Sequence, residues 1–140
     1  SVAQLLMQST RGVDGAVIIT TPNEVSLADV RKEINFCEKV GIHLLGVVEN
    51  MSLYHCEKCG HEAAIFGTGG GDRIADEYDT TVLGRLPLTL SIRELADSGR
   101  PSVVSEPDGA VSRIFAEIAS QVAQSVSASH GGGPTISFSE

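Results

Sequence analysis

The segment Met51-Ser52-Leu53-Tyr54-His55-Cys56-Glu57-Lys58-Cys59-Gly60-His61 concentrates the side chains able to do chemistry. Two cysteines separated by two residues can turn both sulfurs toward one metal centre, and Gly60 lets the backbone bend tightly beside them. Thiolates suit zinc, copper(I) or iron–sulfur clusters. A structural zinc or a four-iron cluster normally takes four protein ligands, so one pair falls short. Two arrangements supply the difference. His55 and His61 would complete a small zinc site within one chain, in the awkward geometry that their close spacing imposes. Alternatively, two subunits each donate one cysteine pair and share a cluster across a two-fold axis, an exposed arrangement that is easy to hand over. A redox pair of the thioredoxin kind would open a helix, whereas this pair sits in a loop after a strand. The third cysteine, Cys37, falls on the apolar stripe of a predicted helix and reads as core.

A second feature with chemical potential is the glycine run Gly67-Thr68-Gly69-Gly70-Gly71 ahead of a short predicted helix. Its amides could hold an anion, although such a run more often serves as a turn. A phosphate-binding loop of the form GxxxxGK[ST] is not written in this sequence: none of Lys32, Lys39 and Lys58 follows a glycine.

Composition bounds the partners. The formal net charge is −8, and ten Lys+Arg are scattered along the chain, which argues against nucleic acid. No apolar run approaches the roughly 20 residues that span a bilayer, so no membrane association is expected. Ser1-Val2-Ala3-Gln4 shows no charged leader before an apolar stretch, so no secretory signal is expected either. The cysteine usage is unlike a disulfide framework and points to the cytoplasm. The length of 140 residues suits one domain.

The elements that must position these residues alternate in type. Gly15 to Thr21 is a continuous apolar, β-branched run stopped at Pro22, as in a strand buried on both faces. Ser26-Leu27-Ala28-Asp29 resembles a capping box, and Leu27, Val30, Ile34 and Cys37 then recur at helical spacing up to Gly41, a natural helix stop. His43 to Asn50 predicts a second strand, Asp72 to Tyr78 a short helix, Thr81 to Pro87 a third strand and Leu90 to Ser98 another short helix. Asp108 is placed to cap a last helix whose stripe is Val111, Ile114, Phe115, Ile118, Ala119, Val122 and Val126. From Ser127 the composition turns to Ser, Gly and Pro, which predicts a flexible tail over 127–140, with Ile136-Ser137-Phe138 as a candidate terminal strand. Strands alternating with helices imply an α/β fold with a parallel sheet. Three strands make a thin core, and the pattern reads as half of a doubly wound sheet, marginal or oligomeric when alone.

An ordered set of segments then resembles one family. Gly15-Ala16-Val17-Ile18-Ile19-Thr20-Thr21-Pro22-Asn23-Glu24-Val25-Ser26-Leu27-Ala28-Asp29-Val30-Arg31-Lys32, then Leu45-Gly46-Val47-Val48-Glu49-Asn50-Met51-Ser52, then Cys56-x-x-Cys59-Gly60 and Ile65-Phe66-Gly67-Thr68-Gly69-Gly70 are similar to stretches of the Mrp/Nbp35 (ApbC-like) iron–sulfur cluster carriers, which are deviant-Walker P-loop ATPases. Leu83-Gly84-Arg85-Leu86-Pro87-Leu88, Ser91-Ile92-Arg93-Glu94 and Asp97-Ser98-Gly99-Arg100-Pro101 extend the resemblance, which covers roughly residues 13 to 126.

The resemblance implies the C-terminal half of a doubly wound, mostly parallel sheet of the MinD/ParA-like P-loop NTPase kind. Residues 1–126 would form a partial domain with its cysteine loop at 51–61, and the phosphate-binding half would lie upstream of Ser1. It further implies a homodimer holding a [4Fe–4S] cluster through Cys56 and Cys59 of each subunit and passing it to apo iron–sulfur proteins, with ATP and Mg²⁺ as cofactors of the complete family protein. Asn50 would contact adenine, and Leu86, Pro87 and Leu88 would line the base pocket. No catalytic residue is carried over, because the Walker A lysine and both switches belong to the upstream half. Two other readings stand beside this one: a binding module whose cysteines hold structural zinc, and a regulatory nucleotide-binding domain whose cysteines are incidental.

Overall fold

The computed structural model describes residues 2–8 and 12–129. Strands β1 (Ala16–Thr20), β2 (Leu44–Glu49) and β5 (Val82–Arg85) form a parallel sheet in the order β1-β2-β5, with β2 in the centre. Ile18 pairs with Val47 and Thr20 with Glu49 on one side of β2, and Glu49 pairs with Arg85 on the other. A second sheet is a small antiparallel hairpin of β3 (Tyr54–His55) and β4 (Glu62–Ala63). The helices are α1 (Val2–Met7), α2 (Glu24–Val40), α3 (Gly70–Glu77), α4 (Leu90–Asp97), α5 (Ser102–Ser105) and α6 (Ala110–Ser129). Among the described residues no helix is long and apolar enough to cross a membrane.

Helices cover both faces of the sheet, as parallel pairing demands. On one face, Leu27, Val30 and Ile34 of α2 and Ile74 of α3 pack with Ile18 and Val47. On the other, Val111, Ile114, Ile118 and Val122 of α6 pack against Val48, Leu83 and Leu86. Gly84 lets α6 approach β5 closely: a Cβ there would meet Ile118 Cγ1 at 2.7 Å. Because α6 leans on β5, Ile19 near the end of β1 stays 61 % exposed, so β1 is not buried on both faces as its apolar run predicts.

The predicted strands and helices form within a residue or two of their expected positions, with differences at the caps. Ser26 does not cap α2; the helix begins at Glu24, Asn23 is its N-cap, and Leu27 N–H bonds to Asn23 O at 3.1 Å. The Ser26 hydroxyl instead meets Thr21 Oγ1. Gly41 does end α2 in the left-handed conformation, at φ 76°, with its N–H on the last carbonyls. At α6 the first intrahelical bond runs from Arg113 N–H to Gly109 O, so Gly109 takes the cap position expected for Asp108. The turn before α6 is fixed by Ser112, whose hydroxyl lies 2.9 Å from Ser102 O and 2.6 Å from Glu106 O. Helix α6 also continues past Val126 to Ser129, and the segment Ile136-Ser137-Phe138 lies outside the described residues.

The glycine run closes the packing between α3 and the sheet. A Cβ on Gly70 would sit 2.3 Å from Pro22 O, a backbone atom that has nowhere to go. Forced overpacking of this kind costs typically about 1–3 kcal/mol. We predict that Gly70→Ala lowers the free energy of unfolding by roughly 2 kcal/mol, and that Gly84→Ala, which meets only the movable Ile118 side chain, costs less. Urea unfolding followed by circular dichroism checks this; equal midpoints for Gly70→Ala and the unaltered chain would refute it.

Candidate metal centre and the adjoining groove

Beyond Glu49 the chain stays beside the segment that follows β5. Leu86 N–H bonds to Glu49 O at 2.8 Å, Ser52 N–H to Leu86 O at 3.0 Å, Leu88 N–H to Leu53 O at 3.0 Å and His55 N–H to Leu88 O at 3.1 Å. This ladder prolongs the parallel pairing past both strand ends and delivers residues 52–55 into the small hairpin. Met51 turns the chain at φ 52°, and Asn50 Oδ1 accepts its N–H at 2.9 Å.

The cysteine turn is the tip of that hairpin. Cys56 N–H bonds to His61 O at 2.9 Å and Gly60 N–H to Cys56 O at 2.8 Å, with Gly60 at φ 74°. A left-handed residue is needed there, and glycine supplies it without strain. The Cys56 thiol is half-buried and Cys59 is exposed. Backbone N–H groups of Cys59 and then Lys58 point at Cys56 Sγ and hold its pKa below the usual thiol value; the Cys59 thiol and the Tyr54 hydroxyl assist. Tyr54 is correspondingly pushed up, chiefly by its hydrogen bond to Cys56. A sulfur that gathers backbone N–H donors is prepared as a thiolate ligand.

The histidines do not complete a ligand set. His55 Nδ1 faces Glu62 Oε1 at 3.5 Å, and His61 is exposed. Among the described residues no group of three or more His, Cys, Asp or Glu side chains converges on one point. Cys37 is buried on α2, and burial is the main influence pushing its thiol up, in keeping with a core role.

Next to the hairpin lies a groove of about 500 Å³. Asn50, Met51 and Tyr54 line it with Pro87 and Leu88, and α4 provides further lining through Leu90, Ile92, Arg93 and Ala96. Three of the four residues expected at a base pocket, Asn50, Pro87 and Leu88, thus meet in one place. Leu86 joins the Val48 and Leu83 core and lines an adjoining cavity of about 360 Å³, which Asn50 and Pro87 share with it. Sequence reasoning missed Tyr54, which touches both the groove and Cys56, and Glu57, whose carboxylate accepts a hydrogen bond from Ser91 on α4. Scarcity was the available signal for Tyr54, as the chain has only two tyrosines.

The amides of the glycine run are not waiting for a phosphate at their most buried point. Gly71 N–H donates to Glu49 Oε2 at 2.8 Å, and Ser52 Oγ donates to Glu49 Oε1 at 2.5 Å. Glu49 is 2 % exposed, so an internal carboxylate already occupies the start of α3.

A three-stranded parallel sheet with helices on both faces, and a cysteine turn at the carboxyl ends of its strands, defines a doubly wound α/β protein with a cysteine-bearing hairpin loop. The chain belongs to the ParA family described as NUBPL iron-transfer P-loop NTPase, whose model matches residues 1–123. It is 46 % identical over 120 residues to the iron-sulfur cluster carrier protein of Salmonella typhimurium and 44 % identical over 120 residues to that of Escherichia coli K12, covering 86 % of this chain in each case. It covers 32 % of each of those relatives, about a third of their length. Among solved structures, a nucleotide-binding protein from Archaeoglobus fulgidus in complex with ADP superposes with a TM-score of 0.58 at 34 % identity, over 74 % of this chain and 41 % of that one. The cell division ATPase MinD of Pyrococcus furiosus gives a TM-score of 0.61 over 79 % of this chain and 43 % of that one; at 22 % identity it supports the fold alone. The fold is therefore that of the MinD/ParA-like P-loop NTPases.

The two classes of thiol should separate chemically. In the metal-free chain at pH 8, Cys56 should be alkylated at least roughly ten-fold faster than Cys37, since reactivity follows thiolate fraction and exposure. Its midpoint should lie below the usual thiol value, and Tyr54→Phe should move it upward by removing one donor. Mass spectrometry of iodoacetamide-treated protein across pH reads both; a Cys56 midpoint at or above the usual value would refute the assignment.

Proposed function

We propose that this chain supplies the cluster-holding part of an iron–sulfur cluster carrier. Two copies form a homodimer in which Cys56 and Cys59 of each subunit share one [4Fe–4S] cluster as cargo, which passes to apo iron–sulfur proteins. The observation that carries this reading is the cysteine pair itself: its sulfurs lie at an open hairpin tip, Cys56 is prepared by backbone N–H donors, and no third ligand converges on the pair among the described residues. The iron-sulfur cluster carrier relatives support the cargo, and a four-iron cluster needs four thiolates. A mononuclear zinc knuckle within one chain is short of ligands by the same count.

The chemistry follows from the asymmetry of the pair. Cys59 is the more exposed sulfur and the one a recipient thiolate reaches first. Each exchange replaces one thiolate by another, and the proton lost by the incoming thiol ends on the departing cysteine. Neither the cluster's iron and sulfide content nor its electron count changes. Cys56, the less exposed of the two, is reached last.

In the complete family protein the groove beside the hairpin takes the adenine of ATP, bound with Mg²⁺. Asn50 Oδ1 is committed to Met51 N–H, so its amide nitrogen is the group with donors to offer the base. Pro87 and Leu88 supply apolar contact on the ring. ATP hydrolysis belongs to that complete protein, since this chain contains no GxxxxGK[ST] segment. The setting is the cytoplasm, where thiols are kept reduced.

Anaerobic reconstitution with iron and sulfide tests the proposal. About four irons and four sulfides per two chains are expected, with a broad visible absorbance that disappears in the Cys56→Ser, Cys59→Ser double variant. Stoichiometric zinc that resists exchange, or iron and sulfide retained by the double variant, would overturn it.

A further inference from the structure

The groove and the cysteine turn are joined by more than proximity. Glu57 stands between the two cysteines, and its carboxylate accepts the Ser91 hydroxyl from the first turn of α4. Neighbouring residues of the same helix, Leu90, Ile92, Arg93 and Ala96, line the groove. Tyr54 lines it too, and its strand pairs with β4 to form the hairpin that carries the turn. Behind them, Leu88 is in the groove lining and also in the ladder, donating its N–H to Leu53 O and accepting His55 N–H from the same neighbouring segment.

We propose that the Glu57–Ser91 hydrogen bond is a latch through which occupancy of the groove controls access to Cys56, the half-buried member of the pair. With the groove empty, Ser91 holds the cysteine turn against α4. A flat ring entering the groove displaces α4 relative to Tyr54 and Leu88, and the latch is the bond that spans the two. Its opening frees the turn, and Cys56 becomes easier to reach, while Cys59 is exposed throughout. Coupling of this kind is reciprocal, so a turn held closed disfavours the ligand by the same factor.

Other arrangements of the same residues do not carry this consequence. Thr89 caps α4 by accepting Ile92 N–H at 3.3 Å, so the first turn of α4 is held whether or not Ser91 reaches Glu57. Breaking the latch should therefore leave α4 in place and act on the cysteine turn. Both latch residues are at the surface, where loss of one hydrogen bond is tolerated without unfolding.

The inference rests on the groove taking a nucleobase, and its test keeps the two apart. The probe is adenosine, which needs no phosphate-binding machinery, and the readout is the alkylation rate of Cys56 and Cys59 in the metal-free chain. Saturation-transfer NMR reports independently whether adenosine binds. Saturating adenosine should raise the alkylation rate of Cys56 roughly five-fold, the lower end of ordinary coupling between sites. Ser91→Ala should alkylate at that faster rate without ligand and gain nothing further from adenosine. Glu57→Gln, which keeps an acceptor for the Ser91 hydroxyl, should fall between the two. Adenosine that binds without changing the rate in the unaltered chain would overturn the latch while leaving the groove assignment standing. No adenosine binding would overturn the groove assignment and the latch with it, and would leave the cluster reading to its own reconstitution test.

Discussion

Parallel pairing imposes the arrangement on which everything at the site depends. Parallel strands cannot be joined by tight hairpins, so each connection must cross the sheet and the chain re-enters from the same end. Every carboxyl terminus therefore arrives at one edge. Here that edge receives Thr21 after β1, Asn50 after β2 and Pro87 after β5. An antiparallel arrangement of the same strands would have sent Asn50 and Pro87 to opposite ends. The hydrogen bonds linking residues 52–55 to 86–88 extend the same parallel register, so the cysteine hairpin grows out of the sheet instead of hanging from a loose loop. This is the crevice at the carboxyl ends of strands where open α/β sheets generally bind their ligands.

The central strand also ends in a buried charge, and the structure answers it locally. A buried carboxylate is costly unless it is hydrogen-bonded. Glu49 receives Gly71 N–H on one oxygen and the Ser52 hydroxyl on the other. Glycine is what allows the first contact, because a Cβ on Gly71 would come within 2.7 Å of Glu49 Oε2. The glycine run thus looks like an anion-binding loop in sequence because in the folded chain it binds one, and the anion is internal. The same bonds fix the start of α3 and the departure of the chain toward the cysteines. Removing Glu49 would leave an amide and a hydroxyl without partners, at about 1–3 kcal/mol for a buried group.

Much of this was legible in the residues, and the limits have physical causes. Buried parallel strands announce themselves as continuous apolar runs, so β1, β2 and β5 were readable, as were the stripes on α2 and α6. Caps were less so. Ser26 followed by Asp29 mimics a helix start, yet the Thr21-Pro22-Asn23 turn begins the helix earlier and turns the Ser26 hydroxyl to Thr21. The hairpin around the cysteines has strands of two residues each, too short to carry any periodicity. The cysteine pair itself was plain from spacing, and Asn50, Pro87 and Leu88 came from family likeness and then met in the groove. Leu86 packs in the Val48 and Leu83 core and also lines the adjoining cavity beside Asn50 and Pro87, so a residue at a strand end serves both. Glu57 could not have been picked out, because its partner Ser91 is distant in sequence, and Tyr54 was marked only by its scarcity.

On the carrier reading, the incompleteness of the ligand set is the property that makes transfer feasible. A site that gathers four ligands from one chain is closed, and structural metal sites of that kind are retained as part of the fold. Two sulfurs at a hairpin tip cannot enclose a metal, so on the carrier reading the second half must come from another copy and can be replaced by a recipient. The pair is nevertheless not left to chance. The Cys59 and Lys58 amides, with the Cys59 thiol and the Tyr54 hydroxyl, hold the Cys56 pKa below the usual thiol value, while Cys59 remains open to solvent. One cysteine is half-buried and the other is open to solvent, and on the carrier reading that difference in access sets the order in which the two can be exchanged.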